Sequence, residues 1–199
     1  MEVFFVKLLF YIACIAIVAC TSSQIFKVAM NVYLSKRIPK FYEFFEDGNF
    51  PSSHSSFTSA MTATIWLYVY NMRGTENIDV YIWIAVAITV HTAVVIRDAL
   101  GVRFTVQRLS DIMLKMLEYG SLNDEKNIDR LAQTLKKKSG HKPHEVLGGI
   151  CWGVIVALIG NIIYTGNYMY LYIMVPLMVL FIIFASVYLK KKKNSKKVK

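Results

Sequence analysis

Apolar residues in this chain do not alternate with polar ones; they come in long runs. Five runs, at roughly 3–20, 55–72, 79–96, 146–164 and 168–189, are long enough as helices to cross a hydrocarbon layer of about 30 Å. Polar segments separate them: a connector at 21–54, a short turn around Arg73, a long stretch at 97–145 and a tight turn at 165–167. The pattern predicts an all-α integral membrane helical bundle of about five transmembrane helices. Within the long polar stretch, FTVQRLSDIMLKMLEY (104–119) repeats its apolar residues at helical spacing, which predicts an amphipathic helix lying on the membrane surface. The second run is rich in small and hydroxyl residues (SSFTSAMTATIW), as suits close helix packing and a face turned inward. The first run begins with Lys7 ahead of LLFYIACIAIVAC and so resembles a signal peptide, with Ile17 to Cys20 like a lipoprotein cleavage box; we read it as a retained span.

Composition narrows the class. A chain of 199 residues that is 55% apolar and only 18% charged is too apolar for disorder, and it has room for a single membrane domain over 1–189. The formal net charge of +10 first suggests nucleic acid, but seven lysines lie in 190–199, a polybasic tail directly after the last span. Such a tail pairs with anionic headgroups, and no nucleic-acid partner is expected. The 21–54 and 97–145 segments hold four and ten Lys or Arg, whereas the intervening connectors hold only Arg73. With five alternating spans these charges fall on one side, which the positive-inside rule makes cytoplasmic. The expected topology is an N-terminus outside and a C-terminus inside, in the plasma (inner) membrane. Cys14, Cys20 and Cys151 sit in apolar runs without paired spacing, so no disulfide framework, zinc site or other metal site is indicated, and no cofactor is implied. Oligomeric state is left open.

Four polar clusters at the mouths of the spans carry the candidate chemistry. Gln24 and Lys27, followed by Lys36 and Arg37, read either as interfacial anchors or as anion ligands. Pro51-Ser52-Ser53-His54-Ser55 opens a helix, so that backbone N–H groups and hydroxyls converge where an anion binds, with His54 beside it; it reads equally as an ordinary N-cap. In Arg97-Asp98-Ala99-Leu100-Gly101-Val102-Arg103 the charges form either a neutralised helix end or a guanidinium clamp for phosphate, Gly101 allowing the tight turn. In Gly140-His141-Lys142-Pro143-His144-Glu145 the proline marks a helix start. Glu145 either orients the His141 imidazole, sharpening it as a nucleophile, or serves the helix dipole; His144 competes for either role. His91, in the middle of the third span, is expected to be a packed or hydrogen-bonded core histidine.

Taken in order, Gln-x-x-Lys, Pro-Ser-Ser-His-Ser, Asp-Ala-x-Gly-Val-Arg and Gly-His-x-Pro-x-Glu-Val resemble the divergent branch of the type-2 phosphatidic acid phosphatases, relatives of acid phosphatases and vanadium haloperoxidases. The resemblance covers about 14–160; the extra span at 168–189 and the tail lie outside it. It implies a membrane phosphatase acting on a lipid phosphate or diphosphate through a phosphohistidine. It implies His141 as nucleophile, Glu145 as its orienting partner and His54 as general acid. Lys27, Arg37, Ser53 and Arg103 would hold the phosphate, and Gln24 and Asp98 would support the site. Glu145 stands where the wider superfamily has Asp, and Phe104 where the branch has a second arginine. The alternative is a noncatalytic membrane protein that binds or moves an anionic phospholipid through the same pocket.

Overall fold

Long helices follow from the lack of breakers inside the apolar runs. Residues 2–35, 50–74, 78–119 and 142–197 are described by the structure, a computed structural model, and among them there is no β-strand. Helix α1 (Glu2–Ser35) contains neither Gly nor Pro. It continues past the expected end of the first span because the hydroxyls there do not cap it. Thr21, Ser22 and Ser23 donate instead to the carbonyls of Ile17, Ala19 and Cys20 at 2.9, 3.2 and 2.8 Å. The first part of the expected 21–54 connector is therefore helix, and it carries Gln24 and Lys27.

The remaining helices are α2 (Ser53–Asn71), α3 (Ile78–Leu100), α4 (Val102–Tyr119), α5 (Pro143–Thr165) and α6 (Leu171–Lys197), the last entered through a 3-10 turn at Tyr168–Tyr170. Among the described residues, four segments are long and apolar enough to cross a membrane: Val6–Tyr33, Ile78–Leu100, Pro143–Thr165 and Tyr168–Lys190. The protein is an all-α membrane helical bundle. The fifth expected span, α2, has 19 residues, about 28 Å of helix, but falls short on apolarity. Its hydroxyl residues are turned inward as expected: Ser53, Ser55, Ser56, Thr58, Ser59 and Thr64 are all buried.

Burial separates an inner from an outer layer. In α5, 56% of the span is buried, against 17% in α3 and 11% in α6. α5 and α2 can approach closely because Gly149 and Gly153 present no side chain to α2. A Cβ at Gly149 would collide with the Ser52 carbonyl, and one at Gly153 with Ser59 Oγ and the Ser56 carbonyl. α3 packs on the outer side of α2 through hydroxyls, with Thr62 and Thr92 2.8 Å apart and Thr92 donating to the Thr58 carbonyl at 3.2 Å. α1 completes the inner layer, where Trp152 Nε1 donates to Ser22 Oγ at 2.9 Å.

The amphipathic helix is present as α4, its Val106, Leu109, Ile112 and Met113 exposed. It leaves α3 after one residue. Gly101 has no left-handed backbone there; it serves close approach, since a Cβ would stand 3.0 Å from the Arg97 carbonyl. One expectation is corrected. His91 is exposed on α3 rather than packed in the core, because the inward face of that helix belongs to Ala85, Thr92 and Ala99. Helix α6 runs unbroken into the lysine-rich segment as far as Lys197.

Candidate functional site

The N-termini of α2 and α5 lie side by side at one end of the bundle. Ser52, fully buried, is the N-cap of α2: its Oγ accepts the Ser55 N–H at 3.3 Å and the Ser55 hydroxyl at 3.1 Å. The Ser52 N–H in turn donates to the Glu145 carbonyl at 2.9 Å. Glu145 occupies the first turn of α5, and its Oε2 accepts the Lys142 N–H at 2.9 Å, the carboxylate half of a capping box. One residue thus caps its own helix with its side chain and ties it to the neighbouring cap with its backbone. Both helices leave this point in the same direction, so two positive dipole ends lie together.

α1 brings the third component. Gln24 Nε2 donates to Ser53 Oγ at 3.0 Å, and Lys27, one turn further on, is 1% exposed. Glu145 is equally buried at 1%. A lysine taken out of water beside two adjoining helix N-termini makes an environment suited to an anion that can accept several hydrogen bonds, while the Glu145 carboxylate accepts the Lys142 N–H.

The other candidates are distributed as follows. His54 is exposed in the first turn of α2, whereas its neighbours Ser53 and Ser55 are buried, so its ring stands at the rim and not among the serines. Asp98 is half-buried near the end of α3. The Thr92 to Thr58 bond shows that this end of α3 lies at the same end of the bundle. Arg103 belongs to the first turn of α4, its side chain outside the described residues. Arg37 and His141 also lie outside the described residues, so Gln24, Lys27, Ser53, Glu145 and, at the rim, His54 are what the geometry brings together.

Several contributors carry no motif. Phe50, fully buried, packs against Gly148, where a Cβ would strike its ring. Tyr188 from α6 stacks on Phe50 with centroids 5.5 Å apart and lies 5.9 Å from the His144 ring. It also makes a hydrogen bond with the Phe50 backbone and faces Glu145 electrostatically. The last helix therefore backs the site although no motif includes it. Ser52 is readable as a cap from its place before a helix. The Gly149 to Gly153 spacing is a packing signal of the small-xxx-small kind.

Searches against curated proteins and against solved structures return no match. Residues 10–156 match a family described as the divergent PAP2 family, a span that contains all four clusters and ends before α6. By that match over most of its length, with the cluster geometry at one end of an all-α membrane bundle, the chain belongs to the divergent PAP2 family.

Proposed function

We propose that this protein is a membrane phosphatase that hydrolyses a lipid phosphate or diphosphate. The observation that carries this reading is the convergence of two parallel helix N-termini with buried Lys27 and Glu145. In the proposed reaction an imidazole nitrogen of His141 attacks phosphorus in line, and the bond to the leaving oxygen breaks. His54, at the rim where a leaving group departs, passes its proton to that oxygen. Water then cleaves the phosphohistidine and releases phosphate. Glu145 accepts the other imidazole N–H; a carboxylate has room for that donor beside the Lys142 N–H. Lys27, Arg37, Arg103, Ser53 and the α2 amides offset the charge that builds on the phosphoryl oxygens, and Gln24 holds Ser53 in place. Asp98 is assigned to support of the arginines around it.

The site, the long polar stretch and the lysine tail are proposed to face the cytoplasm of a plasma (inner) membrane, with the tail against anionic lipid, on the strength of the charge asymmetry. The deciding experiment is phosphate release by detergent-purified protein from a panel of lipid phosphates and diphosphates, with vanadate as inhibitor and His141→Ala as control. Release equal in wild type and His141→Ala rejects the reading. For topology, a cysteine introduced by Ser139→Cys is expected to resist an impermeant thiol reagent in intact cells; labelling there reverses the orientation.

A further inference from the structure

α3 carries three polar side chains in its middle, and the structure satisfies two of them. Thr89 Oγ1 donates to the Ala85 carbonyl at 2.7 Å and accepts from Trp66 Nε1 at 2.9 Å, and Thr92 is bonded to α2. His91 stands on the opposite, exposed side and has no hydrogen-bond partner among the described residues. It lies two residues from the centre of the Ile78–Leu100 span, about 3 Å along the axis, and so at the middle of the hydrocarbon. An ionisable ring at that depth facing lipid tails is unfavourable, and polar residues inside spans are nearly always turned toward a polar partner.

The surface around it is shaped for another helix. Val80, Ala87, His91 and Val94 are exposed along one line, at intervals of seven, four and three residues, with Trp83 and Val90 beside them. That is the average 3.5-residue repeat of a left-handed helix seam, and Ala87 lets a second backbone come close one turn from the histidine. Lipid can cover the valines but offers nothing to the imidazole. The occupant must therefore bring a polar group to this depth, and a second copy inserted in the same orientation brings one at the same level, its own His91. Around an approximate two-fold axis along the membrane normal, one neutral imidazole donates its N–H and the other accepts it, so each ring gains a polar partner without burying charge. We infer that the outward face of α3 is a homodimer interface, centred on a His91 to His91 hydrogen bond. This rests on α3 alone and is independent of any catalytic activity.

The test is the mass of the full chain in detergent by light scattering over a range of protein concentrations, together with oxidative crosslinking in native membranes. Wild type is expected to be dimeric. His91→Leu, an apolar substitution on an exposed site, is expected to raise the dissociation constant about 10-fold without lowering the thermal midpoint. Ala87→Trp, which blocks the seam but touches no core residue, is expected to give monomer. Ala87→Cys or Val94→Cys is expected to crosslink to twice the chain mass, and Val86→Cys, to the side of the seam, is not. A monomeric wild type, dimers undiminished by both His91→Leu and Ala87→Trp, equal crosslinking at positions 86 and 87, or a crosslinked product of another mass overturns the inference.

Discussion

At one end of the parallel pair α2 and α5, the helices are joined by Ser52 and Glu145 and flanked by buried Lys27; at the other, they are joined by two asparagines. There Asn71 Nδ2 donates to Asn161 Oδ1 at 2.8 Å, Tyr170 donates to Asn71 Oδ1 at 2.8 Å, and Thr165 Oγ1 closes onto the Asn161 carbonyl at 2.7 Å. Both ends fix register by hydrogen bonds across the helix pair. Among the described residues, only one of them buries charge. Neutral amides are thus sufficient to hold these helices together, and each ion removed from water costs several kcal/mol even after relaxation. Glu145 has its cap to make, but the lysine at the charged end is not required to set the register. In the proposed reading it serves a negatively charged ligand, together with the helix dipoles.

The largest effect expected from this contrast is on activity at the charged end. His141→Ala is expected to lower phosphate release by about 10³-fold or more while leaving the thermal midpoint in place. Next comes Lys27→Met, which keeps the aliphatic bulk and removes the charge. It is expected to lower phosphate release about 10²-fold with an unchanged midpoint, because the aliphatic bulk that packs is retained. A fall in stability with activity intact would instead make Lys27 a packing residue and erase the difference between the ends. Gly153→Val strikes the midpoint of the helix pair, where Ser56 and Ser59 leave no space for a side chain. It is expected to destabilise by about 2 kcal/mol, read as a lower midpoint in a thermal melt, and to disturb both ends alike.

The two ends were also unequally legible in the sequence. Runs of apolar residues suffice to place four of the five expected spans, because hydrophobic length is a one-dimensional property. Ser52 to Ser55 and Glu145 announce themselves by local chemistry, a cap and a first-turn carboxylate beside a proline. Three things escape such a reading. The extent of α1 depends on hydroxyls that bond back onto their own helix, and in sequence these look like caps. The side of α3 on which His91 lies depends on which face α2 takes, a matter of tertiary packing. Tyr188 and Tyr170 reach opposite ends of the α2 and α5 pair from the last helix and its entry turn, beyond the family match, with no motif to draw attention to either.

The smallest effects test the neutral end, and they differ from one another in a way the geometry fixes. Asn71 takes part in two of its hydrogen bonds, as donor to Asn161 and acceptor from Tyr170, so Asn71→Leu removes both and leaves two buried partners unsatisfied. Asn161 gives up one bond when replaced, and its Nδ2, buried without a partner among the described residues, disappears with it. Hydrogen bonds between membrane helices contribute about 0.6 kcal/mol each on average, so Asn71→Leu is expected to cost about 1–2 kcal/mol and Asn161→Leu less than about 1. Thermal midpoints of the two variants in one detergent measure the difference, and phosphate release by either should match wild type. Equal destabilisation would mean that the Tyr170 bond contributes nothing, while loss of activity in both would show that the neutral end is coupled to the charged one along α2 and α5.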